Sequence, residues 1–197
     1  MEGQQHGGSD SIVGAWVLDL PRSDTMERFL RFMKVPEQGI RAHVRVEARR
    51  GALNVIHLEE DTITIHKRTC ANNLTESFKL DEEKVKNNDV NRTRISEVVS
   101  IPFPRPTGYV RSATSTAVVS GGIENVHMLE SRRVMDGGRS HTQDIRLHNL
   151  TTGEYCVTNR VWTRVPMTDE HQATIGLLLL AEQPSSSSAR ILRQQYT

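Results

Sequence analysis

The sequence predicts a mainly β protein: an antiparallel up-and-down β-barrel of about ten strands, with a short N-terminal helical lid and an extra C-terminal tail. Three observations support this fold class. Short segments with strand-like apolar patterning follow one another through most of the chain. The turns between them, such as Gly121-Gly122 and Asp136-Gly137-Gly138, contain the residues that tight hairpins need. One segment near the start has helical spacing instead. A closed sheet of hairpin-linked strands leaves no unpaired edge.

The helical segment lies close to the N-terminus. Met26, Phe29, Leu30 and Met33 recur at i, i+3, i+4 and i+7, which places them on one face of a helix. Pro36 is expected to end it, because proline cannot continue a helical hydrogen-bond ladder. The remaining face is rich in basic residues. The pattern therefore predicts a helix with one apolar side and one basic side.

Ten segments are predicted as strands: residues 12–18, 40–48, 52–58, 62–67, 76–80, 95–101, 109–120, 126–135, 142–148 and 155–165. The charged, Asn-rich stretch 81–92 is predicted to be a loop. These segments divide the chain into a disordered N-terminal tail (1–11), a β-barrel domain (12–166) and a C-terminal tail (167–197). The C-terminal tail is expected to be disordered or partly helical, with a short helix over 173–182.

Composition narrows the function classes. The formal charge of +1, from 25 basic and 24 acidic residues, gives no general electrostatic case for nucleic-acid binding. Cys70 and Cys156 form neither a metal motif nor a disulfide framework, and we predict no metal site and no cofactor. The polar N-terminus lacks the apolar core of a signal peptide, and the apolar run 175–181 is too short to span a bilayer. We expect a soluble, cytoplasmic monomer.

The last predicted strand contains the most informative pair of side chains. Arg160 and Trp162 are two residues apart, so they point to the same face of a strand. A guanidinium offers a planar fork of donors that a carboxylate accepts bidentately. On spacing alone, a surface arginine beside a core tryptophan is the more common explanation, because alternation produces such pairs in most strands.

The order of several segments resembles the intracellular lipid-binding proteins, the family of fatty-acid-binding and retinoid-binding proteins with a calycin-type barrel. Residues 13–18 resemble the opening Gly-x-Trp strand of that family, and residues 26–35 resemble its portal helix. Residues 61–65 and 76–80 are similar to its middle strands. Residues 156–162 resemble its closing strand, where the family usually has Arg-x-Tyr. The resemblance implies a barrel with an internal cavity.

The resemblance also implies a set of ligand-binding residues. The closing-strand arginine of the family holds a ligand carboxylate, which assigns that role to Arg160. Trp162 stands where the family has tyrosine, so an indole N–H replaces the phenolic hydroxyl. A second family arginine precedes an Asp-Gly turn, and Arg132, four residues before Asp136, matches that spacing. Arg133 takes its place if the register slips by one residue, because such a slip exchanges the two faces of a strand.

The function implied by the resemblance is non-enzymatic binding and intracellular transport of a small hydrophobic carboxylate, such as a long-chain fatty acid. The apolar helix face is expected to be the lid of the cavity (Met26, Phe29, Leu30 and Met33). Its basic side could contact an anionic membrane surface transiently. Two buried arginines without an anion are costly. Their charge therefore requires an anionic ligand, ordered water or the carboxylate of Glu130, which shares a strand face with Arg132.

Two other function classes stay open at this stage. An enzyme on a related barrel would need two or more histidines converging on the cavity. His57 and His66 fall on separate strands without metal-ligand spacing, and His141 and His148 are expected at the surface. No nucleophile elbow, phosphate loop or His-Glu-x-x-His motif is present. The second alternative is an interaction module whose barrel is filled by large side chains.

Overall fold

The computed structural model describes the backbone of residues 10–69, 73–80, 84–87, 91–101, 107–119 and 122–169. Two α-helices lie between the first and second strands, α1 (Glu27–Phe32) and α2 (Glu37–Arg50). The strands of this described part are β1 (Gly14–Leu18), β2 (Leu53–Glu59), β3 (Thr62–Arg68), β4 (Asn73–Lys79), β5 (Lys84–Asn87), β6 (Asn91–Ile101), β7 (Gly108–Val119), β8 (Gly122–Met135), β9 (Ser140–Asn149) and β10 (Tyr155–Val165). The chain is mainly β, as predicted.

All ten strands belong to one antiparallel sheet in the order β4-β3-β2-β1-β10-β9-β8-β7-β6-β5. Strands that are consecutive in the chain are neighbours in the sheet, except for β4 and β5, which lie at its two edges. Strand β1 pairs with both β2 and β10. This is the up-and-down barrel order, in which the first strand pairs with the last. The sheet thus extends from Gly14 to Val165. The antiparallel up-and-down β-barrel predicted from the sequence is confirmed.

The interior of the barrel contains two main apolar clusters. The larger one is built on β1, β3 and their neighbours, and its fully or nearly fully buried members are Ile12, Trp16, Leu18, Ile56, Ile63, Ile65, Phe78, Tyr109 and Trp162. The smaller cluster lies beneath α1, with Phe29, Phe32, Met33 and Met128 packed against Val126, Ile145, Leu147 and Cys156. Inward-facing side chains of the strands therefore form two separate apolar clusters.

Residues 40–48 form part of helix α2, and the strand predicted there is wrong. The apolar residues of this stretch alternate with polar ones, which favoured a strand, but the signals at its two ends favour a helix. Pro36 lies at the N-cap, and Gly51 at the C-cap has φ 64°, with its N–H donating to Glu47 O at 2.8 Å. Ile40 and Glu47 are the buried residues of this helix. They are seven residues apart and therefore lie on one helical face.

The first helix agrees with the sequence within about one residue at each end. The structure places α1 at Glu27–Phe32, inside the predicted apolar repeat from Met26 to Met33. The loop predicted over 81–92 is wrong in part, because β5 (Lys84–Asn87) pairs there with β6. None of the helices in the described part of the chain is long and apolar enough to cross a membrane. The helix predicted over 173–182 and most of both tails lie outside the described residues.

Candidate functional site

A cavity of about 360 Å³ lies inside the barrel, next to the two helices. Its size is within the range of small-molecule binding sites, about 300–1,000 Å³. Its wall combines apolar side chains from both clusters with a large set of charged groups. The described residues that line it are Met26, Phe29, His43, Glu47, Ala52, Asn54, Lys67, Thr69, Glu76, Arg111, Met128, Glu130, Arg132, Gln143, Ile145, Arg160 and Trp162.

Arg160 lines the cavity and is almost completely buried, with 3% of its surface exposed. Trp162 is buried on the same side of β10, whereas Asn159 and Thr163 are exposed. Arg160 Nη2 donates to Glu47 Oε1 at 2.8 Å, and Glu47 belongs to helix α2. Arg160 Nε has no hydrogen-bond partner among the described residues. The predicted headgroup arginine is therefore bound to a carboxylate on one of the helices.

Arg132 also lines the cavity, and its position settles the register of β8. Arg132 is 1% exposed, whereas Arg133 is exposed on the outer face. Arg132 Nε donates to Glu130 Oε1 at 3.0 Å. The carboxylate of Glu130, one of the partners expected from the sequence, thus pairs with Arg132.

Glu130 receives a second guanidinium from the neighbouring strand β7. Arg111 Nη2 lies 2.5 Å from Glu130 Oε2, because Arg111 and Glu130 are directly opposite in the β7–β8 register. Burial by itself would raise the pKa of the Glu130 carboxyl, but Arg111 and Arg132 hold that pKa well below its usual range. Glu130 is thus a buried carboxylate between two arginines, and burial alone does not neutralise it.

The charged cluster continues to the middle strands. Arg111 Nη1 donates to Glu76 Oε2 at 3.1 Å, and Lys67 Nζ donates to the same oxygen at 2.7 Å. Burial would raise the pKa of Glu76, and the two cations lower it. Among the described residues, the cavity wall has four cationic side chains (Lys67, Arg111, Arg132 and Arg160) and three carboxylates (Glu47, Glu76 and Glu130). The wall therefore carries one excess positive charge.

Trp162 contributes a donor to this network. Its Nε1–H donates to Gln143 Oε1 at 3.0 Å, and Gln143 Nε2 in turn donates to Glu130 Oε1 at 2.8 Å. The guanidinium of Arg132 lies over the indole ring, with 5.6 Å between Cζ and the ring centroid, a cation–π distance. The indole of Trp162 thus fixes Gln143 in place.

The four predicted lid residues differ in what they contact. Met26 and Phe29 line the cavity. Phe29 and Met33 pack against the apolar cluster of Val126, Ile145, Leu147 and Cys156. Leu30 is half-buried and is in neither group. Helix α2 contributes His43 and Glu47 to the cavity wall, so both helices face the cavity.

Sequence reasoning did not identify Glu47, Arg111, Glu76 or Lys67 as site residues. Glu47 lies 113 residues before Arg160, and no local pattern links the two. Glu76 and Lys67 had a weaker signal. Lys67 is opposite Leu74 and Glu76 is opposite Ile65 on the antiparallel strands β3 and β4, so Lys67 and Glu76 are diagonal neighbours on one face of the sheet. Opposite charges at such positions predict an ion pair.

The histidines of the described part of the chain do not converge on the cavity. His43 is the single histidine in the described part of its wall. His141, expected at the surface, is fully buried instead, with its ring against Trp16 and stacked on Trp162. Burial, then the charges of Arg132 and Arg164, lower the pKa of His141 to about 2. No group of three or more His, Cys, Asp or Glu side chains among the described residues could hold a metal ion.

Comparison of sequences finds no family model and no curated protein that matches the chain. Comparison of structures finds clear likenesses. Apo lipid binding protein 8 of Caenorhabditis elegans is 14% identical with a TM-score of 0.53, over 78% of this chain and 94% of that protein. The Schistosoma mansoni fatty acid binding protein, solved in complex with arachidonic acid, is 16% identical with a TM-score of 0.52, over 81% and 99%.

A third solved structure is also similar to this chain. The Echinococcus granulosus fatty-acid-binding protein 1 is 11% identical with a TM-score of 0.52, over 80% of this chain and the whole of that one. The resemblance seen in the sequence segments is thereby confirmed at the level of the fold. The chain has the β-barrel fold of the fatty-acid-binding and lipid-binding proteins.

Proposed function

We propose that the protein binds and carries a small hydrophobic carboxylate, such as a long-chain fatty acid, inside the barrel of residues 12–166. The observation that carries this proposal is a cavity with an apolar part and buried guanidinium groups. Met26, Phe29, Met128 and Ile145 offer apolar surface for an alkyl chain. Arg160 is buried in the same wall and has a free Nε–H in the described part of the structure.

The charge balance of the wall supports an anionic ligand. The described cationic groups outnumber the carboxylates by one when His43 is counted as neutral, and an excess positive charge in a buried wall favours an additional anion. A ligand carboxylate would supply the missing negative charge, and a charge-assisted hydrogen bond in such a cavity is stronger than in water. Proteins of the same fold include a fatty acid binding protein solved with arachidonic acid.

In this proposal the protein acts without catalysis and without a cofactor, as a cytoplasmic monomer. The exposed basic residues of the helices would make transient contacts with anionic membranes during ligand transfer. An enzymatic alternative would require converging histidines, and the described cavity wall contributes only His43. An interaction module with a filled barrel would leave no room for a ligand, whereas this cavity has about 360 Å³.

The test measures palmitate affinity by displacement of a fluorescent fatty acid, for the wild type and for Arg160→Ala. We expect the substitution to weaken palmitate binding by a factor of about ten or more, because a hydrogen bond to a charged group contributes about 1.5–3 kcal/mol. Arg146→Ala, an exposed arginine on β9, is the matched control and should bind as the wild type does. Equal binding by Arg160→Ala, or no binding by the wild type, would overturn the proposal.

Native mass spectrometry of the purified protein provides an independent check. A copurifying carboxylate lipid would agree with the proposal and would name the ligand class. A copurifying neutral lipid, with no displacement by palmitate, would assign the cavity to a different ligand.

A further inference from the structure

The contact between Glu47 and Arg160 joins a helix to the barrel at the proposed headgroup position. Glu47 Oε1 accepts from Arg160 Nη2 at 2.8 Å, and the two side chains are 9% and 4% exposed. Both line the cavity. The side chain of Glu47 thus already gives Arg160 the type of partner that a ligand carboxylate would give.

Glu47 differs from the other acidic residue of helix α2. Glu37, in the first turn, has a side chain that is 51% exposed and pairs with Arg31 at the surface. Glu47 is one of only two buried residues of the helix. Burying a carboxylate costs free energy unless a cation and hydrogen bonds compensate it. The guanidinium of Arg160 provides this compensation. His43 Nε2 also lies near the carboxylate, 3.8 Å from Glu47 Oε1.

A ligand carboxylate that approaches the free Nε–H of Arg160 would lie close to the carboxylate of Glu47. Arg160 is held within the cavity wall, and its described hydrogen bond goes to Glu47. A ligand carboxylate arriving beside Glu47 would bring two like charges together in a site of low dielectric constant, which is unfavourable. A neutral headgroup has no such conflict, because it leaves the Glu47–Arg160 pair intact.

We infer that Glu47 is the residue that sets the charge preference of the cavity: it acts as an internal carboxylate that an anionic headgroup must displace from Arg160. Displacement frees the C-terminal half of α2 from the barrel, so an acid loosens this helix whereas the alcohol of the same chain length does not. This inference rests on the proposed function, since it gives Arg160 the role of headgroup partner.

The test compares the wild type, Glu47→Gln and Glu37→Gln, with palmitate and hexadecanol as probes. Glu37→Gln is the matched control, because it makes the same change of charge on the same helix at an exposed position. We expect Glu47→Gln to bind palmitate about tenfold more tightly than the wild type, which corresponds to about 1.4 kcal/mol. Hexadecanol affinity should change less than about twofold, and Glu37→Gln should match the wild type with both probes.

Hydrogen exchange of the α2 amides in the wild-type protein adds a readout that needs no variant. Palmitate should accelerate exchange in the second half of α2 relative to hexadecanol. The inference is overturned if Glu47→Gln binds palmitate no more tightly than Glu37→Gln, or if palmitate slows exchange there as much as hexadecanol does. In those cases the binding of palmitate by the wild type still supports the proposed function. If neither the wild type nor Glu47→Gln binds palmitate, the proposed function fails and this inference fails with it.

Discussion

The carboxylate of Glu130 lies between two guanidinium groups, with Oε1 3.0 Å from Arg132 Nε and Oε2 2.5 Å from Arg111 Nη2. The three residues come from two adjacent strands, β7 and β8, and all are at least nine-tenths buried. The alternation of β8 directs both Glu130 and Arg132 inward. A ligand in this barrel would therefore meet arginines whose charge is already partly balanced.

Glu130→Gln should destabilise the protein by about 3 kcal/mol, because removing one partner of a buried charge pair leaves the other uncompensated. The free energy of unfolding from urea titration at neutral pH measures this loss. The control is Glu154→Gln, whose carboxylate lies 3.5 Å from Lys34 Nζ with both side chains about half exposed. An exposed pair contributes less than about 1 kcal/mol. Equal losses in the two variants would contradict the prediction.

Stability should fall as the pH decreases from 7 to 5.5, with a contribution of about 1 kcal/mol from His141. Burial and nearby cations lower its pKa from 6.5 to about 2. Below pH 6.5 the unfolded chain therefore binds a proton that the folded protein does not bind, so acid favours unfolding. Urea titrations at the two pH values should show that the free energy of unfolding changes less in His141→Gln than in the wild type. The control is His148→Gln, which replaces an exposed histidine on the same strand and should leave the pH dependence of stability as in the wild type. A similar loss of pH dependence in both variants would contradict this assignment.

Phe29→Ala should accelerate ligand release by a factor of about ten, because the ring both lines the cavity and packs against the cluster beneath α1. Stopped-flow transfer of a fluorescent fatty acid to vesicles measures the release rate. Leu30→Ala removes an apolar side chain from the same helix, but Leu30 is not part of the cavity wall. The rate of ligand release from the Leu30→Ala variant should stay within about twofold of the wild-type rate, since truncation at a half-buried site removes fewer contacts. Equal acceleration of release in both variants would contradict the prediction, because the effect would then not be specific to the Phe29 ring.

Trp162→Phe should lower both stability and ligand affinity. The substitution removes the donor that Gln143 Oε1 accepts at 3.0 Å, and a buried acceptor left without a partner costs about 1–3 kcal/mol. Trp16→Phe is the matched control, because Trp16 Nε1 is also a buried donor, to Ile12 O at 2.9 Å, away from the described cavity wall. The Trp16→Phe variant should lose a comparable amount of stability, but its folded form should bind palmitate with the affinity of the wild type. Unchanged ligand affinity in Trp162→Phe would contradict the prediction.

Most of the strand order followed from the sequence because period-two patterning and turn residues are local signals. Residues 155–165 were predicted as a strand and form β10 with the same bounds. Helix α2 was missed because its apolar residues also alternate, as from Ile40 to Ala48. The deciding features were Pro36 and Gly51 at its ends, together with the packing of Ile40 and Glu47. Local periodicity alone cannot choose between two patterns that both fit.

The site was less accessible from the sequence than the fold. Arg132 and Arg160 were identified by resemblance and spacing, and the structure places both in the cavity wall. Glu47 could not be paired with Arg160, because the contact depends on how a helix packs across the barrel. His141 was expected outside, yet strand β9 directs it inward between two tryptophans. A polar residue on an inner face is identifiable only when the register of its strand is known.

The pairing of β1 with β10 has a consequence for how the chain acquires its fold. Ala15 lies opposite Val165, so two strands at opposite ends of the barrel sequence must find each other. Contacts between residues so distant in sequence are slow to form, because the entropy of loop closure must be overcome first. During synthesis, β1 has no final neighbour on one side until β10 has left the ribosome. Pairing of β1 with β10 is therefore expected to be a late step of folding, which follows the formation of the local hairpins.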